Sequence, residues 1–561
     1  MPVETTRSAA LETLEQQSFD VLVLGGGING AVSAAALSAH GIRVALIDRG
    51  DFAGFTSSHS SNLAWGGIKY METFELGLVR KLCRSRNELL RAYPSAVREI
   101  RFFTVITRGS RYGRFVLLLG ALLYWMIGSL FTRRPTLLSN ADIAREEPSI
   151  DTSHTVGGLE YSDAYYVDGD AHFTFRFVRD AVEGGAVALN YLESLGSTRD
   201  EQGWTTRVRD RPTGRELQVR STVVLNACGP YVEEHNRRSG IQTRHRHLFS
   251  KGVHLVVPRI PRSPRVLTFF ATDGRLFFVL PLGHCSSIGT TDTRVDELPA
   301  VVTADDRDFI LSNINERLVD SAAVTERDVI AERCGVRPLV VDADDGRHED
   351  DDWTQLSRKH VLEIDRVQRH VCIFGGKLTD CINVGEEVVD AIRTLGIEPA
   401  APSTRWYGEA DASTRERFEA RARAMGLGLD EAPDGEPEAP LERLWRRYGP
   451  RAQALLDAIE RDPSLAEVSI PGTSVLWAEV EHAARHEMVV SLQDYLRRRT
   501  LIEQVVPADT LQQLPQLRRV AEVLFGPQRA QPMLDAYLRG TSVDSGSTCA
   551  DASAPEAAVG S

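Results

Sequence analysis

The chain has 561 residues, of which 42% are hydrophobic and 25% are charged. These proportions are typical of a globular protein of two or three domains, and they exclude a collagen-like, disordered or multi-span membrane protein. The chain has 65 Lys and Arg against 78 Asp and Glu, a net charge of −13. Because no basic field is available to hold nucleic acid, we predict no nucleic-acid partner.

Cysteine usage and the N-terminus indicate the compartment. Seven cysteines are scattered between Cys83 and Cys549, which is typical of a reducing environment without a disulfide framework. The first 18 residues contain no apolar core of a signal peptide. The sequence therefore predicts a soluble, cytoplasmic protein.

The N-terminal region predicts a βαβ unit. A Val- and Leu-rich strand at 19–24 ends at three glycines, small residues at 29–36 predict a closely packed helix, and 44–47 predicts a second strand. Further on, runs at 253–257, 276–280 and 287–290 have no helix between them. They predict a mainly antiparallel second domain, inserted in the first.

The glycines of the βαβ unit form a G-x-G-x-x-G fingerprint at Gly25, Gly27 and Gly30, with Asn29 before the third. Such glycines permit a tight turn, backbone approach to a pyrophosphate and close helix packing, and the phosphate lies at the helix N-terminus. Asp48 ends the second strand, where a carboxylate accepts hydrogen bonds from a ribose and repels the 2′-phosphate of NADP. The motif does not distinguish FAD from NAD, and a purely structural glycine turn is its alternative.

Motifs at plausible spacing extend over about residues 19–505. They are 56–72 (TSSHSSNLAWGGIKYME), 160–163 (EYSD), 224–230 (VLNACGP), 251–254 (KGVH), 289–292 (GTTD), 335–339 (GVRPL), 374–379 (FGGKLT), 485–488 (RHEM) and 496–500 (LRRRT). Together they resemble the FAD-dependent glycerol-3-phosphate dehydrogenase family, within the D-amino-acid-oxidase-like class of flavoproteins. No single motif is diagnostic, but the set is specific.

The resemblance implies an α/β plus α fold: a Rossmann-like FAD-binding domain, an antiparallel-sheet substrate cap and a helical C-terminal domain. The predicted domain bounds are FAD-binding segments at 19–100, 151–240 and 335–396, cap helices at 101–150, the cap sheet at 241–334, a linker at 397–440, a helical domain at 441–525 and a disordered tail at 526–561.

The resemblance also implies FAD as cofactor and oxidation of glycerol 3-phosphate to dihydroxyacetone phosphate, with hydride passing to flavin N5 and electrons onward to quinone. The residues expected to hold FAD are Gly25, Gly27, Asn29, Gly30, Asp48, Ser57, Ser58, Asn62, Gly66, Gly67, Gly229, Gly376, Lys377, Leu378 and Thr379.

Three residues are predicted to be catalytic. His254 lies in an apolar strand, and a histidine with a pKa near neutral suits a general base; a structural histidine is the alternative. Arg337 can bind a phosphate bidentately, with a salt bridge as its alternative. Lys377 is one of only five lysines in an arginine-rich chain, and in the family this lysine lies close to flavin and substrate.

The substrate-binding prediction comprises Trp65, Lys69, Tyr70 and Arg337, and here the chain departs from the family. Trp65 replaces a histidine, Lys69 replaces an arginine, and 380–382 (DCI) replaces Thr-Tyr-Arg. Trp cannot transfer a proton, and Lys lacks the bidentate fork. Two alternative functions therefore stay open: oxidation of another small anionic alcohol or amine, or flavin binding with little turnover.

An apolar run at 115–131 raises the question of a membrane. Peripheral attachment to the inner face, a buried cap helix and a true span are the alternatives. His482 and His486 have helical spacing without a third ligand, so we predict no metal site. The acidic run at 348–352 is interpreted as a solvated loop, and a homodimer stays open.

Overall fold

The computed structural model describes residues 3–110, 112–261, 263–343, 359–400, 405–426 and 438–540. The helices are α1 Val3–Gln16, α2 Ile28–Ala39, α3 Leu76–Ala92, α4 Arg114–Ile127, α5 Asn140–Glu146, α6 Gly169–Glu183, α7 Val232–Ser239, α8 Ala304–Asn315, α9 Cys381–Thr394, α10 Ala412–Ala424, α11 Pro440–Tyr448, α12 Ala452–Arg461, α13 Trp477–His486, α14 Ile502–Val505, α15 Ala508–Gln513, α16 Pro515–Phe525 and α17 Pro527–Leu538. The strands are β1 Ser18–Leu24, β2 Val44–Ile47, β3 Leu63–Ala64, β4 Val97–Thr107, β5 Thr136–Leu138, β6 Thr155–Tyr166, β7 Val187–Leu189, β8 Leu192–Asp200, β9 Gly203–Asp210, β10 Glu216–Asn226, β11 His245–Pro258, β12 Val266–Phe270, β13 Leu276–Leu282, β14 Cys285–Gly289, β15 Thr293–Val295, β16 Ala331–Asp342, β17 Val361–Asp365 and β18 His370–Phe374.

The first sheet has the order β17-β18-β10-β1-β2-β7, with β9 and β8 continuing from β10. Strands β18, β10, β1, β2 and β7 are parallel. Residues 21–24 of β1 and all of β2 are apolar and buried on both faces, as a parallel sheet covered by helices requires. Helix α2 connects them and packs against α6 and α9, which confirms the predicted βαβ unit.

The second sheet has the order β15-β11-β14-β13-β12-β4-β6-β3, with β16 on β11 and β5 on β6. All its pairs are antiparallel except β12 with β4. The two sheets and the C-terminal helices agree with the predicted α/β plus α fold class. Strand β11, the partner of β16, brings the second sheet to the glycine-rich edge of the first.

The element positions differ from the predicted bounds in four places. Strand β4 occupies residues expected to form cap helices, because its buried residues pair with β6 in the second sheet. Strand β16 continues the cap sheet beyond residue 334. In the predicted linker, Phe418 of α10 packs on Trp445 with ring centroids 5.7 Å apart, so α10 belongs to the helical core. Helix α17 falls in the predicted tail; residues 541–561 and the acidic run at 348–352 lie outside the described residues.

Buried ion pairs join the C-terminal helices to the first sheet. Asp51 follows β2 and is fully buried. Its carboxylate accepts hydrogen bonds from Arg498 Nε at 2.6 Å and from both terminal nitrogens of Arg499 at 2.8 Å. Burial opposes the charge, but the two guanidinium groups hold the pKa of Asp51 below its ordinary value. The carboxylate therefore stays ionised at the domain junction.

Candidate active site

The glycine loop between β1 and α2 leaves no room for side chains. A Cβ atom on Gly25, whose φ is +96°, would lie 2.6 Å from the carbonyl oxygen of Ala227, and one on Gly30 would lie 1.8 Å from that of Gly25. Asp48 Oδ2 accepts a hydrogen bond from the Gly26 amide at 2.6 Å, and Oδ1 accepts one from Gly50 at 2.8 Å. A carboxylate in this position fits the ribose-binding role expected from the sequence.

A cleft of about 650 Å³ opens over this loop. It gathers eight of the predicted cofactor residues from three separate parts of the chain: Gly25, Gly27, Asn29, Asp48, Ser57, Gly229, Gly376 and Leu378. Asn29 Nδ2 donates to the carbonyl of Gly375 at 2.9 Å, whereas its buried Oδ1 has no partner among the described residues. A glycine cradle, a helix N-terminus and an unused buried acceptor fit the pyrophosphate and polar chain of FAD.

The loop at 56–67 is shaped by Ser57 and by two predicted cofactor residues that do not line the cleft, Ser58 and Asn62. Ser57 Oγ accepts from the Ile28 amide at 2.9 Å, which ties the loop to α2. Ser58 Oγ donates to the carbonyl of Phe55 at 3.0 Å. Asn62 has a φ of 55°, and its Oδ1 accepts from the Asp170 amide at 3.1 Å. Ser58 and Asn62 therefore fix the course of the loop.

The turn at Gly66 and Gly67 is held from beneath by a buried network. The Gly66 amide donates to Asp163 Oδ1 at 3.0 Å, and a Cβ atom there would lie 2.1 Å from the hydroxyl of Tyr124. Tyr124 and Arg86 both donate to Asp163, at 2.7 and 3.0 Å. This network connects the turn to the inner face of α4.

The predicted substrate residues Trp65 and Tyr70 lie close to Lys377. Lys377 Nζ donates to Tyr70 Oη at 2.7 Å. The Trp65 ring lies 6.3 Å from the Tyr70 ring, and the Trp65 amide donates to Thr379 Oγ1 at 3.0 Å. Lys69 is half-buried in the single turn at 68–71. The segments 65–70 and 377–379 thus form one wall, although they are far apart in sequence.

His254 belongs to the opposite wall, on β11. Its side chain is buried, with Nε2 3.2 Å from Ser61 Oγ and with Nδ1 lacking a partner among the described residues. Burial, and then the charges of Arg333 and Arg337, hold the pKa of His254 well below its ordinary value of 6.5. The expected pKa near neutral is therefore wrong, and His254 is a neutral imidazole at physiological pH.

Arg337 lies on β16, on the same sheet face as His254, because Ser250 and His254 of β11 pair with Arg337 and Arg333. It is half-buried, with Nη1 3.3 Å from Asp292 Oδ1 and Nη2 donating to Thr290 Oγ1 at 3.0 Å. The salt bridge that the sequence left open is present. The guanidinium carries a fixed positive charge and a planar fork of N–H groups, which suits a substrate anion.

The residues that hold these groups in place were not among those predicted from the sequence. Asp292 and Thr290 belong to the GTTD motif, so the motif itself was a signal for them. Arg333 lies four residues before Arg337, and alternation along a strand puts both on one face. Ser61 belongs to the motif at 56–72, but its contact with His254 could not be predicted, because it joins residues 193 positions apart.

Asp380, which departs from the family pattern, is buried away from this wall. Its Oδ1 accepts from Ser85 Oγ at 2.8 Å, and its Oδ2 lies 3.2 Å from His360 Nδ1 and 3.3 Å from Lys81 Nζ. Burial opposes the charge of His360, but its hydrogen bonds to Asp380 and Glu387 raise its pKa to about 9. The negative charge of Asp380 is thus paired with the positive charges of His360 and Lys81.

Comparison with known proteins decides the family. Residues 20–372, more than half of the chain, match the family described as FAD dependent oxidoreductase. The chain belongs to this family. The match confirms the predicted class, fold and FAD cofactor, so the protein is an FAD-dependent oxidoreductase. Residues 405–530 match the C-terminal domain of alpha-glycerophosphate oxidase, a span that includes α10.

Three relatives of this oxidoreductase are informative. The aerobic glycerol-3-phosphate dehydrogenase of Staphylococcus aureus (strain USA300) is 27% identical over 508 residues, covering 87% of this chain and 88% of that protein. The glycerol-3-phosphate dehydrogenase from Bacillus halodurans, solved with FAD, has a TM-score of 0.74 and 25% identity, covering 97% of this chain and 98% of that chain. L-alpha-glycerophosphate oxidase from Mycoplasma pneumoniae shares the fold, with a TM-score of 0.53 and 16% identity over 70% and 99%.

Helix α4 forms most of the apolar run at 115–131. Only Ala121 and Tyr124 of this helix are buried, whereas Phe115 is 65% and Leu119 is 68% exposed. This exposure contradicts the alternative of a buried cap helix. In the described part of the chain, none of the helices has the length and apolarity required to span a bilayer.

Proposed function

We propose that this FAD-dependent oxidoreductase converts glycerol 3-phosphate to dihydroxyacetone phosphate. The observation that carries the proposal is the placement of a neutral buried imidazole, His254, on the same sheet face as a half-buried guanidinium, Arg337. A proton acceptor beside an anion-binding group is what an alcohol carrying a phosphate requires. The similarity to the Staphylococcus and Bacillus dehydrogenases supports the same substrate.

Each residue has a distinct part in this proposal. Arg337 binds the phosphate from the wall that carries His254, and Lys69, Tyr70 and Lys377 bind and orient the substrate from the opposite wall. His254 accepts the proton of the C2 hydroxyl on Nδ1, which has no hydrogen-bond partner among the residues described. When bound, FAD supplies the acceptor for the hydride that leaves C2. Trp65 excludes water from this pocket.

The test is anaerobic addition of glycerol 3-phosphate to the purified flavoprotein while the visible flavin absorbance is recorded. Bleaching of the band, followed by detection of dihydroxyacetone phosphate, supports the proposed substrate. A band that persists at saturating substrate rejects glycerol 3-phosphate and retains the cofactor.

A second candidate is oxidation of another small anionic alcohol or amine. The observation favouring it is Trp65, whose ring lies between Tyr70 and Phe278 with centroids 6.3 and 6.4 Å away. This ring narrows the pocket where the family has a histidine. A panel of hydroxy acids and amino acids in the bleaching assay separates the candidates, and failure of every compound indicates a flavoprotein with little turnover.

We further propose that the enzyme rests on the inner face of the membrane through α4 and delivers electrons to quinone. Phe115, Leu119 and the other exposed apolar residues of α4 are suited to a lipid surface. On the buried side of the same helix, Tyr124 contacts the Gly66 turn of the site. The lipid-facing surface is therefore separated from the site by about the width of one helix, ~10 Å. The homodimer stays a prediction.

A further inference from the structure

Arg333 is a buried cation for which the proposed chemistry has no role so far. It lies on β16, is 1% exposed, and pairs directly across the sheet with His254 of β11. Its Nε and Nη1 atoms are buried without a hydrogen-bond partner in the described ranges. A buried donor without a partner destabilises the fold. An arginine with two such donors therefore points to a function beyond folding.

The remaining nitrogen of Arg333 fastens the loop at 58–62. Nη2 donates to the carbonyl oxygen of Ser58 at 3.1 Å and lies 3.4 Å from Asn62 Oδ1. Asp170, at the start of α6, lies 3.3 Å from the same nitrogen and accepts from the Ser60 amide at 2.7 Å. Arg333 and Asp170 thus hold this short loop by hydrogen bonds at Ser58 and Ser60.

The loop at 58–62 contains Ser61, whose hydroxyl oxygen is 3.2 Å from Nε2 of His254. The partner of one imidazole nitrogen determines where the ring carries its proton. If Nε2–H donates to Ser61 Oγ, then Nδ1 is left with a lone pair to accept a proton. When Ser61 Oγ accepts this hydrogen bond, His254 is held in the tautomer that carries its proton on Nε2 and leaves Nδ1 as the base.

We propose that Arg333 is the positioning residue of His254: it anchors the loop that presents Ser61 to Nε2, and it places a positive charge beside the imidazole ring. The inference rests on the proposed function, because it takes His254 as the proton acceptor.

The charges around the two residues are consistent with this arrangement. Facing His254 are Arg333 and Arg337 from β16 and His59 from the loop, all of which disfavour a proton on the ring. From β14 the neighbour is Gly289, which carries no charge. Arg333 in turn faces Asp170, which stabilises its charge, and Arg497, which opposes it.

The experiment is NMR of the FAD-loaded enzyme with ¹³Cε1-labelled histidine, followed from pH 5 to 8.5. The His254→Asn variant identifies the His254 signal among 14 histidines. In the wild type we expect a single neutral tautomer that does not titrate. In Arg333→Met we expect the single tautomer to be lost and the protonation midpoint to rise by at least one pH unit. Unchanged tautomer and midpoint in Arg333→Met overturn the proposal, whatever happens to the activity.

Two milder variants keep the inference testable if Arg333→Met does not fold. Arg333→Lys retains the charge, so the midpoint should stay low. Ser61→Ala retains Arg333, so the tautomer should be lost without a rise in the midpoint. The proposal is contradicted if His254 in Arg333→Lys titrates like an exposed histidine. It is also contradicted if the tautomer of His254 is unchanged in Ser61→Ala. These measurements need no substrate. If glycerol 3-phosphate does not bleach the flavin, the proposed function is rejected, but the role of Arg333 can still be tested.

Discussion

Lys377 contacts Tyr70 at two points: its ammonium nitrogen donates to the phenol oxygen at 2.7 Å and lies 4.1 Å from the centroid of the ring. The phenol thus fixes the direction of a flexible side chain that follows two glycines of positive φ. A cation fixed in this way needs no reorganisation when negative charge develops beside it.

Lys377→Met should lower the rate of flavin reduction by glycerol 3-phosphate about 100-fold or more, because a preorganised charge is lost from the site. Tyr70→Phe should have a smaller effect, since the ring and the ammonium both remain. Stopped-flow absorbance under anaerobic conditions measures both rates. Lys359→Met, at an exposed lysine, is the matched control, and an equal loss in that variant would contradict the assignment.

Gly30→Ala should abolish FAD binding, because the new Cβ atom would lie 1.8 Å from the carbonyl oxygen of Gly25 in the pyrophosphate turn. The ratio of flavin to protein absorbance after purification measures the loss. Gly77→Ala places the same methyl group on α3, where no atom lies within 4 Å. Full flavin content in Gly30→Ala would mean that the loop does not hold the cofactor.

The His360 pair predicts a loss of stability at alkaline pH. Burial opposes its charge, but hydrogen bonds to Asp380 and Glu387 raise its pKa from an ordinary 6.5 to about 9 in the folded chain. Its contribution, on the order of 3 kcal/mol, is complete below pH 6.5 and disappears as the pH rises through 9. Urea unfolding at pH 6.5, 8 and 9.5 should show this decline in the wild type.

The His360→Gln variant should lack that pH-dependent decline and be less stable at pH 6.5. His154→Gln, at an exposed histidine, should behave like the wild type. The same decline in His360→Gln would assign the pH dependence to another group.

Asp51→Asn should destabilise the protein by about 3–5 kcal/mol, because two buried guanidinium groups lose their carboxylate. Asp20→Asn removes a carboxylate that pairs with the exposed Arg43 and should cost less than about 1 kcal/mol. Equilibrium denaturation measures both values. Equal losses in the two variants would mean that the C-terminal helices do not depend on this junction.

Replacing Phe115 and Leu119 together by Glu should weaken binding to anionic lipid vesicles at least about 10-fold, because each side chain contributes about 1.5–3 kcal/mol on burial. Sedimentation with vesicles measures the bound fraction. Val367→Glu changes an exposed apolar residue on the turn between β17 and β18 and should leave binding unaltered. A wild-type chain that stays in solution with every vesicle would reject the membrane proposal.

Local patterns in the sequence were enough to predict the strands and the helix that surround the cofactor site. The apolar runs of β1 and β2, the fingerprint glycines and the small residues of α2 lie within one short segment, so their relationship is visible from spacing alone. Strand β4 was misassigned because the pairing that buries it involves β6, some 50 residues later. The residues of β4 alone do not show that β6 will pair with them.

The environment of the site could not be read from the sequence for the same reason. The pKa of His254 depends on burial and on Arg333 and Arg337, about 80 positions away along the chain. The contact of Arg333 with Asn62 joins residues 271 positions apart. Residue types indicated that a base and an anion-binding group were present, but their charge states are properties of the assembled sheets.

The hydrogen bond from Asn29 to the carbonyl of Gly375 spans 346 positions, and it has a consequence for biosynthesis. The ribosome makes the glycine turn more than 300 residues before Gly375, which follows β18 and closes over the turn. Until then the nascent turn is open on one side. The FAD site is therefore completed only late in synthesis. When FAD is scarce, we expect the N-terminal half of the chain, with its site still open, to be exposed to proteases.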